Sequence, residues 1–468
     1  MIPFLPKQIA HRAIFVYVLA LPFVSLLFIN YAMKFGYIIM GTVWVLGFFL
    51  FTSYTSKNWL RIKDGVFVKY LLITAFSLRL FWVIGSYLFY LQATGIPFEF
   101  GAADSIGYHK EAVWLASEPW STVWRYYFGP NSYGISDVGY PLYLTVLYKL
   151  VGPSVIVPRF IKTILSSFTC ILIYRIGARS FDEGIGRMAG IMTALMPNLI
   201  IYCGYHLKET EMLFLEIAFL ERLDYVIRGK KISVGNVVLP TLFALSLFFF
   251  RTALGIAAIF AFASTVLFSS TQVMKKGVRR IALIGWGVIG LVVLGGGRAT
   301  TEVEALWEGR NSNVSTKRYE QMVRGNQWAQ YATGTVMAPM AFFLPFATMV
   351  NVDEQYGQQE VSGGNYVRNF MGIFAFLAIY EAFRRKKWRS FVLIGSFTIA
   401  YLGVVSLSGF SNSERFLLPG LPGLIMMWSY GVSSLREKTF HLITPWCVIV
   451  FFMELGWAYF KLGSRGLL

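Results

Sequence analysis

Charge is what this chain has least of. Of its 468 residues only 14% are Asp, Glu, Lys or Arg, whereas a soluble globular chain carries roughly 25%. That is too little charge to cover a water-soluble surface of this size, which excludes a soluble enzyme and a disordered chain. Polarity does not alternate residue by residue as it does in barrel strands, so a β-barrel porin is excluded as well. Acid is scarcer than base, with 24 Asp and Glu against 42 Lys and Arg and a net charge of +18. Cysteine is nearly absent: Cys170, Cys203 and Cys447 all fall inside apolar runs and read as small buried residues. No repeat and no low-complexity tract is present. A P-loop and a strand-borne GxGxxG are both missing, so nothing supports nucleotide chemistry. Gly295-Gly296-Gly297 closes an apolar run and reads as a helix stop.

Apolar residues are what the chain has instead. They make up 56% of it, and the mean hydropathy is +0.57. Runs of about 18 or more recur, each long enough to cross roughly 30 Å of hydrocarbon. The fold class expected is therefore all-α, a polytopic helical membrane protein. About thirteen spans are readable, at 12–31, 36–54, 66–92, 155–178, 186–204, 210–227, 233–250, 253–270, 280–297, 366–383, 389–408, 414–433 and 440–460. The N-terminal run lacks a convincing cleavage site and reads as a first span that stays in place.

The short loops separate by charge. One set carries Lys7 and Arg12, Lys57 to Lys63, Arg175 to Arg187, Arg228 to Lys231, Lys275 to Arg280, Arg384 to Arg389, and Arg436 with Lys438. The positive-inside rule puts that set, and the N-terminus, in the cytoplasm. Anionic headgroups and lipid phosphates are then the partners implied by the basic excess, and nucleic acid is not. Two apolar stretches break the alternation, 138–152 and 331–350, and both read as outer-face interfacial pieces. The chain divides into two leading helices (1–65), a core (66–297) with a first outer loop at 93–154, a second outer loop (298–365), and a C-terminal helical part (366–468).

Candidate chemistry gathers at the outer ends of the spans. Asp104, Tyr108 and Ala112 fall at i, i+4 and i+8, one face of a helix. A carboxylate there either caps the helix or takes a proton from an incoming hydroxyl; one residue can do both. His109 is next to Tyr108. Glu99 and Glu111 lie near enough in sequence to join Asp104, and two carboxylates with a histidine form a set that holds a divalent cation, although no ligand spacing fixes one. His206, Lys208 and Glu209 cluster where one span surfaces and the next re-enters. Lys208 is placed to neutralise a phosphate, and Glu209 to orient it or the acceptor. Arg159, Arg251 and Arg415 stand at span ends and are candidates to clamp a phosphate or to snorkel to headgroups. Arg79 lies mid-span and must face the bundle interior.

Taken in order, these residues resemble the GT-C class of membrane glycosyltransferases that use polyprenyl-phosphate sugars, in the style of protein O-mannosyltransferases and the enzymes that add aminoarabinose to lipid A. The resemblance rests on the Arg79 helix ahead of Asp104-x-x-x-Tyr108-x-x-x-Ala112, on residues 139–152 (GYPLYLTVLYKLVG), on Arg159 and the helix pair 173–202, on GYHLKE at 204–209, and on ERFLLPGLPGLIM at 414–426. Ser105 stands where members often carry a second acid, and Phe416 where tyrosine is common. The resemblance implies an inverting transfer from a polyprenyl-phosphate donor to a glycan, lipid or protein acceptor at the outer face of a bacterial inner membrane. Asp104, with Glu209, would be catalytic. Tyr108, His109, Arg159, His206, Lys208, Arg251 and Arg415 would bind the lipid phosphate or the acceptor. No cofactor is implied beyond a divalent cation of unfixed ligands. A polysaccharide polymerase acting on lipid-linked oligosaccharides is the alternative, with the basic 298–330 stretch holding pyrophosphate.

Overall fold

The computed structural model describes residues 3–129, 136–228, 234–268, 339–352, 356–407, 414–436, 440–463 and 466–468. They are almost entirely helical, and the one β-type pairing among them is a bridge between Ala32 and Val350. The helices are α1 (Lys7–Leu27), α2 (Phe35–Leu46), α3 (Thr52–Asn58), α4 (Asp64–Thr94), α5 (Ala103–Ser117), α6 (Trp120–Phe128) and α7 (Gly139–Val151). They continue with α8 (Ile156–Ser180), α9 (Glu183–Leu195), α10 (Pro197–Gly204), α11 (Glu209–Arg228), α12 (Val234–Phe250) and α13 (Thr252–Phe268). The last four long ones are α14 (Ser362–Arg384), α15 (Val392–Leu407), α16 (Leu421–Ser433) and α17 (Ile443–Gly463).

The pattern of α4 shows why these segments are helices in a membrane. Its buried residues are Phe67, Leu71, Ala75, Arg79, Val83, Ser86 and Tyr90, one stripe at helical spacing. The rest of its surface is just as apolar, with Phe81 81% and Leu88 57% exposed. An unpartnered face of that kind is stable against lipid and not against water. Six helices are long and apolar enough to cross a membrane, or seven if the bent pair α9–α10 counts as one span, and three shorter apolar helices accompany them. Every expected span except 280–297, which lies outside the described residues, falls on helical chain, with 186–204 divided between α9 and α10. Two of those helices, α11 and α14, carry several charged or polar residues and fall outside the six, so the expected thirteen is larger than the number that qualify on length and composition alone.

Close crossings tie the bundle together. α8 packs on α4, α9 and α11; α11 on α12; α13 on α15; α14 on α2 and α16; and α1 on α17. At the α8–α9 crossing Gly177 meets Gly186, where an added Cβ would lie 2.5 Å from the Ala178 backbone nitrogen and 2.7 Å from the Tyr174 carbonyl oxygen. Backbones approach this closely only across glycine. Between α9 and α10 the axis turns by 43°. Pro197 has no N–H to give the Thr193 carbonyl, so the helix breaks there. Arg79 takes up the freed groups, donating to the carbonyls of Thr193 at 3.1 Å and Ala194 at 3.0 Å and to the Ser166 hydroxyl at 2.7 Å. The mid-span arginine does face the interior, and its role is to close a broken helix.

Among the described residues, the two stretches that broke the alternation form no long helix. Residues 139–151 make α7, 13 residues long and packed along α5, short of the ~20 needed to cross. Of 331–350, only 339 onward is described: a short turn, then irregular chain buried in the protein. Asn369 on α14 satisfies that chain, accepting from the Ala347 N–H at 3.1 Å and donating to the carbonyls of Phe343 at 2.5 Å and Pro345 at 3.0 Å. Non-helical backbone at such depth needs partners of this sort.

Candidate active site at one end of the bundle

α4 ends and α8 begins at the same end of the bundle, and α5, α6 and α7 lie between them in the chain. The α10–α11 and α12–α13 junctions and the start of the segment Glu414–Leu417 reach that end too. Ionisable residues placed at these junctions by separate helices can therefore meet.

Five of them do. α5 starts at Ala103, and its N-cap Ala102 makes no side-chain cap bond. Asp104 is thus not a capping residue, which corrects one of its two expected roles. Its carboxylate instead accepts from Arg415 Nη1, while Arg415 Nε donates to Glu209 Oε1. Glu209, the first residue of α11, is fully buried, and Arg251 Nη2 stands 3.7 Å from the same oxygen. Arg251 occupies the one-residue break between α12 and α13. It donates to the Tyr401 hydroxyl at 3.0 Å and lies 4.6 Å above the Phe416 ring. Tyr401 in turn donates to the Phe416 carbonyl at 2.9 Å. Lys208 completes the group, paired with Asp137 and donating to the Phe250 carbonyl at 3.1 Å. A carboxylate as buried as Glu209 is stable only when paired, and two guanidiniums hold it. Burial, with Arg251 adding repulsion, pulls the Lys208 ammonium down to a pKa of about 7.

A cavity of about 340 Å³ opens beside Asp104 and Arg415, lined also by Glu99, Tyr202, Tyr205, Gln358 and Glu414. Its walls mix carboxylates, phenols and one guanidinium, a surface suited to a hydroxyl-rich group.

Of the other expected site residues, Tyr108 stays with the cluster: it follows Asp104 by one turn, its hydroxyl reaches Arg415, and its ring is edge-on to Tyr140 with centres 5.3 Å apart. The rest sit apart. His109 turns to the opposite side, where the Tyr148 hydroxyl bridges its Nδ1 at 2.9 Å and His206 Nε2 at 3.3 Å. His206 is fully buried, and burial beside Lys162 and Arg159 keeps its pKa well below the usual histidine value. It is held neutral and off the cavity. Arg159 is fully buried as well, donating to the Pro97 carbonyl at 2.7 Å with Glu99 at 3.8 Å. Lys162 fixes the 205–208 turn, donating to the carbonyls of Tyr205 at 2.8 Å and of Leu207, with Glu211 at 3.7 Å.

Of the acids expected to join Asp104 around a cation, Glu99 shares its cavity and Glu111 does not, and each is already bonded. Glu99 accepts from the Ser105 hydroxyl, and Glu111 accepts from Tyr127 at 3.1 Å. Among the described residues no three His, Cys, Asp or Glu side chains gather as a metal-ion site. Besides Asp137 on Lys208 and Glu211 on Lys162, two more carboxylates at this end were not placed in the site from the sequence. Glu414 accepts from Asn198 at 2.5 Å, and Glu360 accepts from Tyr90 at 2.8 Å and Tyr205 at 2.5 Å. Burial lifts Glu360 to a pKa of about 7. Their signal was an acid beside a long apolar run, the same signal that marked Glu209.

No family model matches the chain, and no curated protein matches it. Among solved structures it is similar to the oligosaccharyltransferase of Archaeoglobus fulgidus in complex with Zn and sulfate, with 12% identity and a TM-score of 0.44, over 86% of this chain and 52% of that one. The chain spans about half that enzyme's length.

Proposed function

We propose that this protein is a membrane glycosyltransferase of the GT-C type, moving a sugar from a polyprenyl-phosphate carrier to a hydroxyl of a glycan, lipid or protein. The observation that carries this reading is Asp104 beside the cations Arg415, Arg251 and Lys208, with Glu209 holding the two arginines in place. The donor's phosphate binds the cations. The acceptor enters the cavity, and Asp104 takes the proton from its hydroxyl. That oxygen attacks the anomeric carbon from the face opposite the phosphate, the bond from carbon to phosphate oxygen breaks, and the configuration inverts. Preorganised cations stabilise the charge that grows on the leaving phosphate. In this reading the site faces the outside of a bacterial inner membrane, and the basic turns around Lys57 to Lys63, Arg175 to Arg187 and Arg384 to Arg389 support that sidedness.

The test is turnover of an undecaprenyl-phosphate-linked sugar by membranes carrying Asp104→Asn. Loss of a base costs about 10²–10⁴-fold; undiminished turnover at normal expression removes Asp104 from the chemistry. Glycans from cells lacking the protein separate the reading from a polymerase. Loss of one sugar per unit supports the transferase, and shortened chains built of complete units support the polymerase.

A further inference from the structure

Arg415 has two acidic partners of opposite character. Glu209 on its Nε is fully buried and also faces Arg251. Asp104 on its Nη1 is 61% exposed, stands in the first turn of α5, and has no other hydrogen bond or ion pair among the described residues. One partner is fixed and the other is exchangeable. The exchangeable one is the carboxylate proposed as the base.

We infer that Asp104 and the donor's phosphate compete for the same edge of Arg415, so that arrival of the anion releases the carboxylate to act. This deepens the reading above and rests on it. While Asp104 accepts from the guanidinium, that lone pair is closed to an acceptor's hydroxyl. The donor's phosphate is a diester with one negative charge and two free oxygens, so it matches the carboxylate in charge, and it wins the exchange by meeting Arg251 and Lys208 as well as Arg415. Its oxygen replaces Asp104 on Nη1–H, and the freed carboxylate, still beside the cavity, receives the hydroxyl proton. No new bond to protein forms, and the proton ends on Asp104. Before the donor binds, one oxygen of the base is held by the guanidinium. The donor's arrival frees the whole carboxylate, so the donor binds productively before the acceptor.

The exchange makes a prediction opposite to that for an ordinary binding residue. In the full chain, reconstituted in lipid nanodiscs, Asp104→Asn binds undecaprenyl phosphate (the carrier with no sugar) about tenfold more tightly than the unaltered protein, because the competitor has lost its charge. Two controls isolate the competition from a general change of field. Glu99→Gln, which removes another acid of the same cavity, changes affinity by less than about twofold. In an Arg415→Gln background the gain from Asp104→Asn disappears, as a double-mutant cycle requires of a shared partner. Should Arg415→Gln not fold, Arg415→Met serves, since it fills a similar space without charge and leaves Arg251 beside Glu209. Unchanged or weaker binding by Asp104→Asn overturns the exchange, and so does a gain that persists without Arg415. Equal binding by the unaltered protein and the Arg415 variants overturns the phosphate site itself, and with it the proposed function.

Discussion

Lys208 is the residue whose charge state is most consequential. Its neighbours and burial bring its pKa to about 7, so in the free protein it is a cation below that pH and neutral above it. If it helps hold the donor's phosphate, kcat/KM, which reports the free enzyme, falls as pH rises through about 7. Lys208→Arg stays protonated throughout, so its falling limb moves up by well over one pH unit; a limb that does not move assigns the titration to another group. Arg79 has a different job. Replacing it with Leu strands the Thr193 and Ala194 carbonyls. We expect a loss of about 2–4 kcal/mol in stability, read as a lower thermal midpoint in detergent, with the pH profile of the surviving fraction unchanged. Asp104, Lys208, Glu209, Arg251 and Arg415 were legible in the sequence because charge at the end of an apolar run is costly and therefore rare. What was not legible is which of them touch. Arg415 is 311 residues from Asp104, and no local pattern separates it from Arg159, which lies under the site. His109 sits one position beyond Tyr108, and that single step of about 100° turns it from Arg415 to Tyr148 and His206.

At the scale of elements, the apolar runs gave the helices, but proline alone did not give their interruptions: Pro197 breaks a span, whereas Pro22 and Pro240 lie inside continuous α1 and α12. The bend at Pro197 was hidden inside one expected span, 186–204, because hydropathy is blind to a missing N–H. The irregular stretch from 343 to 352 was marked by Pro345 and by Pro339 just ahead of it, but the buried Asn369 that satisfies it lies on α14. The α8–α9 contact depends on glycine, since any side chain at 186 would meet backbone in α8. Gly186→Leu should force these helices apart. We expect loss of the monodisperse peak in size-exclusion chromatography, whereas Gly107→Ala, with open space around its Cβ position on α5, elutes as the unaltered protein does.

For the whole molecule, the separation of charge gives a sidedness that labelling can read. Lys110 is exposed near the cavity end, and Lys57 is exposed at the basic end. The native thiols give little background, with Cys170 and Cys203 buried and Cys447 partly so. In intact cells, Lys110→Cys should react with a membrane-impermeant maleimide, and Lys57→Cys only after permeabilisation. The reverse result would put the cavity in the cytoplasm. A sharper measurement is a structure of the full chain in nanodiscs with undecaprenyl phosphate bound. The phosphate should lie within hydrogen-bonding distance of Arg415 and close to Arg251 and Lys208, with the Asp104 carboxylate turned towards the cavity. A phosphate bound at the opposite end of the bundle, or far from all three cations, would contradict the account.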